Sequence, residues 1–431
     1  MNRGFALEIE ENYGEDIEPN EFNPAWFQDV DSADFKLNDD IITKSGGSRM
    51  DQVARPGVLK PSGSISADVD LQRIIYYFFG LLDNYKCTDN NDGTYIHEFW
   101  GGEGKDLKSF RGIAVYDMLV QYLYGIIIDS LKLECSDEKM ELSADTIYKT
   151  EKSEILNENE EFELPDELEN DLFITFYDIT LLLNNKKPDG VVNSFDLETK
   201  NNLDQDNSIG FGSRGPQAKA NARKRENSVS LKTYLTRDTV ESILNAKYGK
   251  VGAREPEACK LLQIPLALKV RLCEYAELGL GMDLIFPRCT VKAEFDMSGV
   301  DEIETTLDLA TLGSDNVTLD DGTDVRTDYY VKVVNNLPEL GVNESPIIEE
   351  NPETENISIT VQDSEEQPIS GATVSIGQIS SNTGVAGGCT LQNVPVGTQT
   401  IIVTKEGYQE YTDTISISSN DNSFTINLTE S

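Results

Sequence analysis

Histidine is almost missing from this chain of 431 residues, which contains only His97. A single histidine excludes a metal site built on two of them and leaves one imidazole for acid–base catalysis. The six cysteines are scattered, and none stands in the Cys-x-x-Cys spacing of a zinc or redox site. A Walker loop, a Rossmann glycine triplet, His-Glu-x-x-His and Gly-x-Ser-x-Gly are absent as well. The sequence therefore predicts no catalytic, cofactor-binding or metal site, and we expect the protein not to be an enzyme.

Long apolar runs are also absent. The longest, from Ile74 to Leu82, is far shorter than the roughly 20 residues that a membrane-spanning helix needs. The first residues, from Met1 to Phe5, lack the apolar core of a secretion signal. We therefore expect a soluble protein made in a cytosol, with reduced cysteines and no membrane partner.

Positive charge is scarce, because 36 basic residues face 77 acidic ones and the net charge is −41. Such a protein repels nucleic acid and anionic membranes rather than binding them. Two basic groups nevertheless stand out. The first comprises Lys44, Arg49, Arg55 and Lys60, and the second comprises Arg214, Lys219, Arg223, Lys224 and Arg225. They are either solvated loops or the points at which one acidic copy touches another, which would steer assembly and set the register between subunits.

What the chain does contain is mostly β-pattern. Apolar and polar residues alternate over 62–70, which is typical of a half-buried strand, and a dense apolar helix is expected to follow at 71–82. Residues 126–144 read as a hairpin and residues 171–183 as one long strand. A helix is predicted over 238–249, between a capping aspartate and a terminal glycine. We predict a mainly β fold, an antiparallel β-sandwich or barrel with a few flanking helices.

The composition changes at residues 341–355, which are polar, acidic and proline-bearing and so are predicted to form a linker. Short strands with Gly and Pro turns follow over 356–431, as in a β-sandwich. The segments Pro368-Ile-Ser-Gly-Ala-Thr-Val374, Asn393-Val-Pro-Val-Gly397 and Val403-Thr-Lys-Glu-Gly-Tyr408 resemble the immunoglobulin-like regulatory domain of carboxypeptidases. The predicted domains are therefore 1–340, a linker at 341–355, and an immunoglobulin-like sandwich at 356–431.

The opening of the chain carries a second resemblance. An acidic strand ending at Tyr13-Gly14 is followed by a polar loop around Arg49 and Arg55, then by Pro56-Gly57, Ser62-Gly-Ser-Ile65 and the short apolar helix. This order resembles the tail tube (major tail) proteins of long-tailed phages and related viruses, over roughly residues 1–340. The resemblance implies a structural virion protein of the tail, made in the host cytoplasm. Hexameric rings stack into a tube in that family, and DNA passes through the lumen without specific binding.

The resemblance also implies partners and contact regions. The partners are other copies of the chain and tail proteins such as the tape measure, the terminator and the tail tip. The loop from Asp39 to Pro61 is the candidate bridge between rings, and the terminal sandwich is expected to project outward. The alternatives are a surface adhesin or carbohydrate-binding protein, a tail-associated hydrolase, or another virion component such as a tail terminator or capsid decoration protein.

Overall fold

The computed structural model describes residues 3–340 and 354–430 apart from gaps at 20–21, 23, 25–27, 45–52, 117, 137, 157–161, 163–171, 188–191, 235–236, 253, 256–262, 295–303, 312–314, 377–378, 396 and 418–422. The chain divides into two compact units, Met1–Asn343 and Glu344–Ser431. Each unit has its own hydrophobic core. The sequence boundary at 340 lies just before this division.

Among its described residues the first unit contains two α-helices, α1 (Ile74–Leu81) and α2 (Arg237–Tyr248). Its strands are β1 (Arg3–Ile9), β2 (Gln28–Asp29), β3 (Ser32–Lys36), β4 (Asp39–Lys44), β5 (Val53–Leu59), β6 (Ser62–Asp68), β7 (Asn84–Asp89), β8 (Tyr95–Trp100), β9 (Phe110–Tyr116), β10 (Leu119–Cys135), β11 (Met140–Ile147), β12 (Thr150–Ile155), β13 (Ile179–Leu183), β14 (Val192–Lys200), β15 (Glu226–Tyr234), β16 (Gln263–Arg271), β17 (Gly281–Glu294), β18 (Glu304–Thr311), β19 (Asp315–Thr318), β20 (Asp324–Thr327) and β21 (Tyr330–Asn335).

One antiparallel run of strands dominates the first unit, in the order β3, β6, β11, β10, β14, β15, β18 and β17. From β17 the pairing continues to β16 and β13 on one side and to β21, β8 and β7 on the other. Among the described strands this pairing never returns to its starting point, so the sheets are open and no closed barrel forms. The mainly β, antiparallel class predicted from the sequence is confirmed.

The long strand β10 belongs to two sheets. Its first part pairs with β9 and β12, and its second part pairs with β11 and β14. The change of partners falls at Gly125, whose φ of 69° is a left-handed value that favours glycine. The Gly125 N–H donates to the buried Glu10 carboxylate at 2.9 Å, and the Gly14 N–H donates to the same carboxylate at 2.9 Å. Burial raises the pKa of Glu10.

Helix α1 is buried along its whole length because nearly every side chain in it is apolar. It packs on β8 and β10. Asp70 precedes it, and one carboxylate oxygen accepts the backbone N–H groups of Gln72 and Arg73 at 2.9 and 3.1 Å. These bonds hold the turn at residues 71–73 that leads into the helix. Gly80 permits the close contact, since a Cβ there would lie 2.5 Å from the Phe110 ring.

Two predictions for this unit need correction. The segment 171–183 is not one long strand, because only β13 (Ile179–Leu183) is extended and a short 3-10 turn, Phe176–Asp178, precedes it. The turn forms because Asp178 accepts bonds from the Thr175 N–H and hydroxyl at 3.0 and 2.5 Å. The polar loop from Asp39 to Pro61 is in large part a two-stranded hairpin, in which β4 pairs with β5.

The second unit contains β22 (Thr354–Gln362), β23 (Thr373–Ile376), β24 (Ile379–Asn382), β25 (Gly388–Pro395), β26 (Gly397–Thr404), β27 (Tyr411–Ile417) and β28 (Ser423–Asn427). They form two sheets, in the orders β25-β22-β28 and β24-β23-β26-β27. Residues such as Ile359, Val374, Ile401 and Val403 are buried in its core. The predicted immunoglobulin-like sandwich is confirmed.

Candidate functional site

The main sheet of the first unit has one buried apolar face and one polar face. Ala67, Leu142, Leu133, Leu197, Val229 and Leu309 lie opposite one another across six strands, and all are buried. Side chains alternate along a strand, so the next residue of each strand points to the other face. There the neighbours in register are Asp68, Glu141, Glu134, Asp196, Ser230 and Asp308. We call this side of the sheet the polar face.

Serines and carboxylates dominate the polar face. The adjacent row contains Ser66, Ser143, Lys132, Glu198 and Ser228. Lys132 bridges Glu134 and Asp196, at 2.9 Å from the latter, and these two carboxylates raise its pKa. Asp68 is paired with Lys139 at 2.6 Å, whereas Asp308 accepts a hydrogen bond from the Ser230 hydroxyl at 3.0 Å. The face is therefore acidic, and several of its carboxylates are held by lysine or serine side chains.

The β4–β5 hairpin, which we call the arm, has no described pairing with any other strand. Ile41 and Ile42 on it are 70% and 62% exposed, and Arg55 is exposed as well. The arm is fastened at its base by Arg214, whose Nε donates to the Gly57 carbonyl at 3.1 Å and whose guanidinium contacts Asp39 at 2.6 Å. Consecutive residues of a strand point to opposite faces, so each face of the arm presents one isoleucine to solvent.

A groove of about 1060 Å³ lies between the 101–105 loop, the 201–225 segment and the end of β20. Six cations and the three carboxylates of Glu103, Asp204 and Asp328 line it. Three further carboxylates outside the lining pair with these cations, namely Asp83, Asp106 and Glu226. The cations are Lys105, Lys219, Arg223, Lys224, Arg225 and Arg326. We call it the basic groove, because it brings six cations together in a chain with a net charge of −41. Ala222 is the one apolar side chain among the described residues that line it.

Arg225 forms two ion pairs in the basic groove. Its side chain is 9% exposed, and it contacts Asp83 at 2.8 Å and Asp328 at 3.0 Å. Asp83 also accepts the backbone N–H groups of Gly102 and Gly104 at 2.6 and 2.7 Å. A Cβ at Gly101 would lie 1.9 Å from the Arg225 guanidinium, so this position requires glycine. The Arg225 Nε is buried and has no hydrogen-bond partner in the described structure.

The structure distributes the predicted basic residues over two places. Lys219, Arg223, Lys224 and Arg225 share the basic groove. Arg214 does not line the groove. It belongs to the second predicted basic group but contacts the arm, which carries the first group, through the Gly57 carbonyl. Lys60, at the end of the arm, pairs with Asp206 of the 201–225 segment at 2.7 Å, which raises the pKa of Lys60. Arg49 and the side chain of Lys44 lie outside the described residues.

Sequence reasoning missed Lys105, Arg326 and Asp83, which the fold brings to the basic groove from distant positions. The turn between β19 and β20 carries two aspartates that are both paired with lysines. Asp321 pairs with Lys86, which together with the Thr323 backbone lowers the pKa of Asp321 to about 2, and Asp320 pairs with Lys332.

In the described part of the chain no cluster of three or more His, Cys, Asp or Glu residues could hold a metal ion. No described helix is both long and apolar enough to cross a membrane.

Residues 356–429 match the family model of the carboxypeptidase regulatory-like domain. The C-terminal unit is such a domain. The match extends over most of the unit. No curated protein matches the chain. The comparisons give no support to the resemblance of the first unit to tail tube proteins, which therefore stays a prediction.

Proposed function

We propose that this chain is a structural virion protein whose copies form six-fold rings, and that the rings stack into a tail tube that conducts DNA from capsid to host cell. The observation that carries the proposal is the polar face, a row of five carboxylates and one serine in register across six strands of the main sheet. The opening pattern of residues 4–82, which resembles tail tube proteins, gives the proposal its family context.

The chemistry of the polar face suits the wall of a DNA channel. Duplex DNA carries one negative charge per roughly 1.7 Å of its axis. Carboxylates such as Glu134 and Asp308, exposed on that face, would repel the phosphates and keep DNA from adhering. Because the screening length is about 8 Å at physiological salt, only the carboxylates that face the lumen would act on the DNA. Acids elsewhere on the surface would serve solubility.

Unpaired strand edges support self-association. Strands β3, β7, β12 and β13 each pair with one other strand in the described part of the chain. The outer N–H and C=O groups of an edge strand can be satisfied by a strand of another chain. Closing a ring of copies would remove such edges without any new secondary structure. The arm, with Ile41 and Ile42 in solvent, is the candidate bridge from ring to ring.

The experiment tests whether the polar face lines the lumen. Reversing Glu141 and Asp308 to lysine should leave tube formation intact but make assembled tubes retain a fluorescent DNA duplex that parent tubes release. The matched control is Glu365→Lys with Glu406→Lys, which changes the net charge equally on exposed residues of the second unit. Equal retention by both variants would show that total charge matters rather than this face. If the parent protein does not assemble, the tube proposal itself fails.

The remaining partners follow from the resemblance. Tape measure, terminator and tail tip proteins would contact the tube from inside and at its two ends, in the virion tail. Co-purification of the chain with these proteins from assembled virions would test this placement, and a chain found only in the capsid would contradict it.

A further inference from the structure

We propose that Lys332 and Asp320, which form an ion pair, join covalently through an amide between the lysine Nζ and the aspartate Cγ, and that Glu98 carries the proton that this reaction moves. The amide would be a modification that the chain makes on itself, and it would fasten the turn between β19 and β20 to strand β21. The inference does not depend on assembly, so it can fail or succeed separately from the proposed function.

Three neighbouring strands place a glutamate between two lysines. Glu98 on β8 stands directly opposite Lys86 on β7 and directly opposite Lys332 on β21. Residues that are opposite each other in an antiparallel pair share one face of the sheet, so these three side chains form a row. The β19–β20 turn contacts this row at both ends. Its Asp320 pairs with Lys332, and its Asp321 pairs with Lys86 at the other end.

Glu98 is fully buried, yet only one of its two carboxylate oxygens is used. Its Oε1 accepts the Asp320 N–H at 2.9 Å and the Tyr330 hydroxyl at 2.6 Å. Its Oε2 is buried as well and has no hydrogen-bond partner in the described structure. A buried oxygen without a donor is costly and calls for an explanation. A carboxylate oxygen that must take up a proton and return it has to be left without a permanent donor, which is the arrangement at Glu98.

The Lys332–Asp320 pair is better placed to react than its neighbour. Glu98 holds the Asp320 backbone directly. Lys332 is also the more buried lysine, with 24% of its side chain exposed against 33% for Lys86, and burial favours the neutral amine that acts as a nucleophile. Asp321, in contrast, accepts the Thr323 N–H and hydroxyl, both at 2.9 Å. These bonds stabilise its charged form, which an amine does not attack.

The reaction needs no co-reactant. Within the ion pair, the Lys332 ammonium passes a proton to the Asp320 carboxylate, which leaves a neutral amine beside a carboxylic acid. Nζ then attacks Cγ and forms the C–N bond. The Oε2 of Glu98 accepts a second proton from Nζ and returns it to a hydroxyl on Cγ. The C–O bond breaks, and one water molecule leaves. Atoms and charge balance, because one ammonium and one carboxylate become one amide and one water.

The amide would secure a hairpin that lies outside the main sheet. Strands β19 and β20 pair with each other and with no other described strand. The new bond would close a loop from Asp320 to Lys332. Such a cross-link stabilises the folded state by restricting the unfolded chain, as a disulfide does.

Mass spectrometry of the full-length chain tests the proposal. The denatured parent should be lighter than its sequence by one water molecule. Trypsin cleaves after Arg326, which lies between the two reacting residues, so the amide should appear as two joined peptides. Lys332→Arg keeps the positive charge but has no reactive amine, and it should have the full mass of its sequence. Lys86→Arg is the matched control in the neighbouring pair, and it should still lose the water.

A Glu98→Gln variant tests the proton transfer. Glutamine retains an oxygen that can accept the Asp320 N–H, but it cannot take up and return a proton. In samples taken at intervals after synthesis, the variant should form the amide at least roughly tenfold more slowly than the parent. Its circular dichroism spectrum should match that of the parent, which separates a loss of proton transfer from a loss of folding.

Four results would contradict the proposal. A parent with the full mass of its sequence overturns it, as does an amide that joins Lys86 to Asp321 instead. A loss of water that persists in Lys332→Arg would belong to a cyclic imide at Asp321-Gly322 and would also overturn it. Equal rates of amide formation in the parent and in a folded Glu98→Gln protein would overturn the role assigned to Glu98.

Discussion

Replacing Arg225 by methionine should destabilise the first unit strongly. The guanidinium is nearly buried and neutralises Asp83, whose side chain is 6% exposed, and Asp328, whose side chain is 24% exposed. Methionine fills a similar volume but leaves both carboxylates without their cation. Asp83 would keep the two N–H donors of Gly102 and Gly104, which compensate only part of a buried charge.

The magnitude follows from the burial. Removing one partner of a buried ion pair costs about 3–5 kcal/mol, because the remaining charge stays desolvated. The matched control is Arg223→Met in the same groove, since Arg223 is 63% exposed in its pair with Asp204. A pair with one exposed partner contributes about 0–1 kcal/mol, and Asp204, although 12% exposed, keeps the hydrogen bond that Asn207 donates. The two variants remove the same charge, so the difference of about 2–5 kcal/mol between them isolates the effect of burial.

Tryptophan fluorescence during urea unfolding measures this difference in the full chain. Both tryptophans, Trp26 and Trp100, belong to the first unit, so the signal reports on that unit without interference from the sandwich. Trp100 directly precedes the Gly101 position that Arg225 contacts. An Arg225→Met protein that unfolds at the same urea concentration as Arg223→Met would refute the reasoning.

Three further predictions concern acid, the second unit and the arm. The buried His97 contacts Tyr85 and the Leu337 carbonyl, and burial lowers its pKa to about 4. Because the histidine of the unfolded chain takes up its proton at a higher pH, about 3 kcal/mol of stability should be lost as the pH falls from about 6.5 to about 4. A His97→Gln variant should lack this part of the pH dependence in urea titrations. Truncation after Asn343 should leave a folded protein that still forms rings, since the second unit is compact by itself; a folded truncation that stays monomeric in electron micrographs would contradict this. Reversing Arg49 and Arg55 to glutamate should preserve the circular dichroism spectrum but weaken ring stacking, most at low salt where repulsion is least screened; equal tube lengths at every salt concentration would exclude the arm as an electrostatic bridge.

The alternating pattern of the sequence was enough to predict the fold class, the buried helix and the terminal sandwich. Local periodicity determines which face of a strand is buried, as the alternation from Ile65 to Val69 illustrates. The segment before β13 was predicted wrongly because the side chain of Asp178 bonds the Thr175 backbone and hydroxyl, a local competition that apolar content does not show.

The candidate surfaces were less predictable, because they depend on register and on contacts distant in sequence. The acidic row exists only once Glu134 stands opposite both Glu141 and Asp196. The basic groove combines Lys105, the 219–225 cluster and Arg326, and only the middle part was visible as a charge run. Arg214 looked like one more member of that run, yet it holds the base of the arm.

The central claim is self-assembly into rings with the polar face inward, and electron microscopy of the purified full-length chain with image reconstruction tests it most directly. The account predicts six-fold rings or hollow tubes in which the strands carrying Glu141, Glu134, Asp196 and Asp308 line the lumen. A protein that remains monomeric at high concentration, even with tail-tip proteins added, would contradict the account, as would rings that present this face to the outside.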